Sequence, residues 1–271
     1  MAEEWVIRAI GFAVVFAVVA AWEVAAPRRP LQTSKARRWG ANLTLVALNP
    51  LSVRLVFPLL PVGLAATAAE QGWGLLNRLD VTFGLKLAAG LLVLDLAVYL
   101  QHVLHHAVPA LWRLHMVHHA DLDFDLTTGI RFHPVEIVIS MAVKLGVVAA
   151  LGPPAAAVLV FEVVLNAASM FNHGNIRLPE SVDKALRRLL VTPDMHRVHH
   201  SVSISETNSN YGFCLAWWDR LFGTYKDQPA KGHMEMTIGL SQFRDARRLS
   251  LPRLLLLPFS GDPGRVPINR H

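Results

Sequence analysis

The chain has 271 residues, 53% of them apolar and only 17% charged, with a mean hydropathy of +0.36. That balance excludes an ordinary soluble domain and points to a membrane protein. The net charge of +6 reads as membrane-flanking charge, because the basic residues adjoin apolar spans and no DNA- or RNA-binding motif accompanies them.

The first apolar run, about residues 5–26, is long enough to cross a bilayer. Glu3 and Glu4 precede it where a secretory signal would carry basic residues, so a retained transmembrane helix is expected, with its N-terminus outside. Arg28, Arg29, Lys35, Arg37 and Arg38 then mark the cytoplasmic side. A second apolar region, about 41–68, is broken by Asn49-Pro50, Pro58 and Pro61, which predicts a kinked helix or a helix followed by a short re-entrant piece. Gln71 to Asp80 suits the outer interface, and a third run, about 84–101, heads back to the cytoplasm. A fourth run after His133-Pro134 turns at Gly152-Pro153-Pro154 into a fifth that ends near Phe171, an antiparallel helical hairpin. The expected fold is an all-α membrane protein of about four to five transmembrane or partly spanning helices under a cytoplasmic helical cap. Its divisions are an N-terminal transmembrane region 1–83, a catalytic region 84–227 and a basic cytoplasmic tail 228–271.

Eleven of the thirteen histidines fall between His102 and His200, in the motifs HVLHH, HMVHH, RFHP, NHGN and HRVHH. On a helix, positions i, i+3 and i+4 share a face, so His102 with His106, His115 with His118 and His119, and His196 with His199 and His200 each present imidazoles in one direction. Several neutral nitrogens converging on one point make a metal site. The single cysteine, Cys214, leaves imidazole as the metal chemistry. Two five-nitrogen sites need roughly ten donors, which suggests a dinuclear centre, and no HExxH motif of a hydrolytic zinc site occurs.

Two helical stripes support the boxes: Asp95, Tyr99, His102 and His106, and Glu162, Asn166, Ser169 and His173. Asp95 is expected to accept from a ligand's other ring nitrogen, or to pair with an arginine such as Arg54. His173 is expected as a ligand and Glu162 as a supporting carboxylate. Thr192-Pro193-Asp194 starts a helix that carries the last box. Asp121, Asp123 and Asp125 read as a solvated loop.

The segments DLAVYLQHVLHH, LWRLHMVHH, TTGIRFHP, NHGN, TPDMHRVHH and NYGFCLAWWDRLFGTY together resemble the fatty acid hydroxylase/sterol desaturase superfamily over roughly residues 90–227. The resemblance implies a non-haem di-iron centre that uses O2 and two electrons to hydroxylate or desaturate a lipid. It implies His102, His106, His115, His118, His119, His173, His196, His199 and His200 as ligands, with His133 as the best candidate for a tenth. His105 stands where the family usually has an apolar residue and is left out. With no HPGG motif of an appended haem domain, electrons are expected from a separate reductase, ferredoxin or cytochrome-type donor. The localisation expected is the cell inner membrane, multi-pass, with the site facing the cytoplasm. The rival reading is a membrane metal-binding or metal-transport protein without redox catalysis; transport would place ligands near the bilayer midplane on several helices, whereas these crowd at helix ends.

Overall fold

The local sequence places each helix boundary. The coordinates are a computed structural model that describes residues 2–264 and Val266. Helix α1, Ala2–Ala25, stops just before Pro27. Helix α2, Lys35–Val56, is capped by Ser34 and carries Pro50 inside it; the chain then breaks over 57–60 and restarts with Pro61 as the first residue of α3, Pro61–Gln71. The proline-rich second region is therefore a long helix followed by a short one. Helix α4, Phe83–Ala107, is capped by Thr82 and ends ahead of Pro109, the first residue of α5, Pro109–His119. Helices α6, Pro134–Leu151, and α7, Ala155–Asn172, form the expected hairpin. Two short helices follow, α8 at Glu180–Leu186 and α9 at Pro193–His199, the latter capped by Thr192 as its sequence predicts. Five helical segments are long and apolar enough to cross a membrane, with α2 and α3 together forming one of them. Among the described residues there are no strands beyond isolated bridges.

The membrane helices have two distinct poles. At one, the turn after α3 meets the tip of the α6–α7 hairpin so closely that a Cβ on Gly74 would lie 2.3 Å from the Gly152 nitrogen. Both glycines have positive φ, +83° and +62°, so the close approach and the backbone both require glycine. At the other pole lie the end of α1, the start of α2, the end of α4, the start of α6 and the end of α7. There Arg28 N donates to Asn175 O (3.0 Å) and Arg177 N to Ala26 O (2.8 Å). Every histidine box sits at this second pole, which is the alternation of helix direction that the apolar runs predict.

Asp121, Asp123 and Asp125 correct the expectation of a solvated loop, since all three are buried. Arg38 grips Asp121 through Nε and Nη2 (2.6 and 2.8 Å) and Asp125 through Nη1 (2.5 Å). The backbone amides of Gln32 and Thr33 donate to Asp123. Basic residues that flank the membrane in sequence thus fasten the α1–α2 connection to the loop after α5. Removing one member of a buried ion pair leaves an uncompensated charge, so Arg38→Met is expected to destabilise the fold by about 3–5 kcal/mol. Thermal unfolding of the detergent-solubilised protein checks this; a melting temperature equal to that of the wild type would show that the aspartates do not need this partner.

The segment from residue 228 packs back on the histidine pole. The helix Leu251–Ser260 places Leu254 and Leu257 against Trp112 and Met116 of α5, with Leu240 and Phe243 in the same apolar cluster. Gly239 N donates to His200 O (2.9 Å). Residues 265 and 267–271 of the tail lie outside the described residues.

Candidate metal centre

Four helices bring the histidines together. The last turns of α4 carry His102 and His106, the last two turns of α5 carry His115, His118 and His119, and α9 carries His196 and His199, with His200 at its end. His173 caps α7. The side chains sort into two groups, His102, His106, His115, His119 and His199 in one, and His118, His173, His196 and His200 in the other. Within each group one nitrogen per ring lies within 4.8 Å of all the others. The groups adjoin, with the rings of His119 and His200 stacked at a centroid separation of 4.5 Å.

The outer nitrogens define the inner ones. His102 Nδ1 lies 2.7 Å from Tyr211 O, His199 Nδ1 2.7 Å from Ser209 O and His173 Nδ1 2.8 Å from Ser169 O. A carbonyl only accepts, so in each ring Nδ1 carries the hydrogen and a neutral ring presents a bare lone pair at Nε2. His106 Nδ1 similarly meets the Asn208 side-chain oxygen (3.2 Å), and His115 Nδ1 meets Glu136 Oε1 (2.7 Å). The Nε2 atoms then face one another: His102 and His115 at 3.1 Å, His106 and His119 at 3.2 Å, and His173 with both His118 and His200 at 3.2 Å. In the His102–His115 pair, where both outer nitrogens are held, the two Nε2 lone pairs point at each other and repel unless a cation lies between them. The outer nitrogens of His118, His119 and His200 and both nitrogens of His196 are buried without a hydrogen-bond partner. This donor set fits a pair of metal ions.

Burial keeps the imidazoles ready to bind. Loss of water around the ring, reinforced by neighbouring imidazoles, pulls the pKa of His115, His118, His119, His173, His196 and His200 well below the usual value. Burial also takes His199 down to about 3. All are neutral at physiological pH, the form that ligates.

A model of the fatty acid hydroxylase family matches residues 87–224, slightly more than half of the chain. The chain belongs to the fatty acid hydroxylase family. Among curated proteins it is similar to the ornithine lipid hydroxylase OlsE of Rhizobium tropici, 30% identical over 56% of this chain and 45% of that protein. It is also similar to the alkylglycerol monooxygenases of Xenopus tropicalis (28%) and Homo sapiens (27%), each match covering 55% of this chain and 32% of the relative. The matches thus span less than half the length of these curated relatives. No solved structure matches the chain.

This fatty acid hydroxylase family member departs from the sequence expectations in its supporting residues. His133, expected as a tenth ligand, joins neither group: it caps α6, its Nδ1 accepting from Val135 N (3.2 Å) while its Nε2 meets Leu255 O (3.2 Å). His105 also lies outside both groups, its Nδ1 held by Gln101 O (2.7 Å). Among the described residues Asp95 has neither a hydrogen bond to an imidazole nor an ion pair with an arginine. Its Oδ2 accepts from Trp218 Nε1 (2.8 Å) and Leu215 N (3.2 Å), which ties α4 to the returning chain. Glu162 stands away from the histidines, bonded to Arg8 (2.6 Å) and Lys144 (3.0 Å), because α7 carries it toward the middle of the membrane.

Among the described residues, the carboxylate that bonds an imidazole of the two groups is Glu136, in the first turn of α6. Spacing within the histidine boxes carries no sign of it, although an acid two residues beyond His133-Pro134 at the head of an apolar helix was a signal. Equally unforeseen is the turn 208–211, which supplies the acceptors for His106, His199 and His102. Asn210 adopts φ +52° there, a conformation that asparagine tolerates, while its side chain bonds Met195 O and Lys226 N and O (each 2.8 Å). Asp219 fixes the same turn by accepting from Tyr211 N (2.7 Å) and Gly212 N (2.8 Å).

Beside the first group a cavity of about 550 Å³ opens into the membrane helices, with His102, His115 and Glu136 at one end and Phe132, Phe161 and Phe213 among its walls.

Proposed function

We propose that the protein is an integral-membrane oxidoreductase that holds two iron ions through nine histidines and uses O2, with two electrons from a separate donor, to hydroxylate or desaturate a lipid. The observation that carries this reading is the two converging histidine groups, with His102 and His115 of the first group lining a largely apolar cavity. His102, His106, His115, His119 and His199 would hold one ion, and His118, His173, His196 and His200 the other. Iron bound there supplies the O2-dependent redox chemistry that cleaves an unactivated C–H bond.

The remaining work belongs to the chain. Burial keeps the imidazoles neutral, and the 208–211 turn and Glu136 fix the direction of their lone pairs. Phe132 stacks on His118 at 4.5 Å and, with Phe213, lines the approach with carbon, which keeps water from the reacting position. The names of the relatives, a lipid hydroxylase and monooxygenases, favour hydroxylation over desaturation. The five basic residues from Arg28 to Arg38 support reading the histidine pole as the cytoplasmic side of the membrane, where a soluble or peripheral electron donor would reach it.

Sealed membrane vesicles test both parts together. Inverted vesicles supplied with an external reductase system and a lipid extract are expected to add oxygen to a lipid in air and not under nitrogen, and right-side-out vesicles to stay inactive. Equal product under nitrogen would remove the oxygenase reading, and activity confined to right-side-out vesicles would reverse the orientation.

A further inference from the structure

The cavity continues away from the histidines to a group of charges inside the membrane. Helix α6 lines it with Glu136, Ser140 and Lys144, spaced four residues apart and therefore on one face. Helix α7 lines it with Glu162, Asn166 and Ser169 in a second stripe. At the far end Arg8 and Lys144 both bond Glu162, Arg8 also lies 3.6 Å from Glu4, and Arg54 stacks over Trp5 at 4.5 Å. Arg54 has no ion pair among the described residues, so among the described side chains three cations there, Arg8, Arg54 and Lys144, stand with two carboxylates, Glu4 and Glu162. Ionisable side chains within membrane spans are costly and mark binding sites more often than packing.

We propose that this chamber binds a lipid with an anionic headgroup, the headgroup held by Arg54, Lys144 and Arg8 and the hydrocarbon chain lying along the apolar walls toward His102 and His115. The proposal rests on the lipid-oxidising reading and names the class of lipid. Glu162 precedes His173 by eleven residues on α7, and Lys144 follows Glu136 by eight on α6, so headgroup and histidine ends stand roughly 12–16 Å apart. The position oxidised then lies well down the chain, not beside the headgroup. The excess positive charge explains why a carboxylate or a phosphate ester is preferred to a neutral alcohol: its charge completes a group that is otherwise short of one anion in a medium where Coulomb attraction is poorly screened.

The test is binding, which does not depend on turnover. The full chain, purified in neutral detergent with its metal, is titrated with palmitate, a palmitoyl lysophosphatidate and hexadecanol, three ligands that carry a sixteen-carbon chain and differ at the head. The expected result is at least tenfold tighter binding of the anions than of hexadecanol. Tighter lysophosphatidate assigns the site to a phosphate headgroup, and tighter palmitate to a carboxylate. Arg54→Gln, which leaves the Arg8–Glu162–Lys144 bonds intact, is expected to remove most of the anion preference while hexadecanol binding is unchanged; Lys144→Met is expected to remove it further. Equal affinity for anion and alcohol in the wild type, or a preference that survives both substitutions, would overturn the proposal. A chamber that selects anions in a protein that oxidises no lipid would leave this inference standing and remove the oxidase reading.

Discussion

Wild-type protein is expected to hold two metal ions per chain, and His118→Ala to lose one of them together with all turnover. His118 belongs to the four-nitrogen group, so its removal leaves three donors for that ion, whereas His199→Ala leaves four in the other group. Both variants should be inactive, because a centre missing one ion or one ligand cannot complete the two-electron chemistry, but His118→Ala should show the larger drop in metal content. Elemental analysis of reconstituted protein reads the difference. His105→Ala and His133→Ala are the controls and should keep both ions, since the ring nitrogens of those residues point to Glu136, Gln101, Val135 and Leu255 rather than into either group. A wild-type content of one ion or fewer would end the dinuclear reading, and loss of metal in His133→Ala would restore it as a ligand.

The second large effect is expected at Glu136. Its Oε1 lies 2.7 Å from His115 Nδ1 and 3.9 Å from His105 Nε2, while its Oε2 has no hydrogen-bond partner. A carboxylate behind a ligating imidazole orients the ring and raises its basicity, and loss of such a partner typically costs ten- to a hundredfold in metal affinity or activity. Glu136→Gln is expected to fall in that range while folding normally, because the amide keeps the shape and one acceptor. Chelator competition gives the affinity directly. Asp95→Asn is the contrast: it should weaken the link from α4 to the 214–218 turn and lower the unfolding temperature without a comparable change in metal affinity. If Asp95→Asn lost metal as Glu136→Gln does, the assignment of these two carboxylates would have to be exchanged.

The membrane helices and the histidine boxes are legible in the chain itself. Long apolar runs leave little choice but membrane helices, because backbone polar groups in lipid must be satisfied within the segment, and Pro27, Pro61, Pro109, Pro134 and Gly152 mark boundaries by their own stereochemistry. The boxes are legible because ligands on one helix repeat at i, i+3 and i+4, a purely local rule, and nine of the histidines named from it and from the family resemblance lie in the two groups. How those nine divide is settled by packing, since His115 and His119 join His102 while their neighbour His118 joins His173, a partition set by how α5 rotates against α4 and α9. The supporting residues were likewise invisible locally: Glu136 reaches His115 across 21 positions, Tyr211 reaches His102 across 109, and Arg38 reaches Asp121 across 83. A stripe on one helix places Asp95 and His102 on a shared face, yet the partners of Asp95 arrive from residues 215 and 218. Periodicity says which way a side chain points, and only the packing of distant segments says what it meets there.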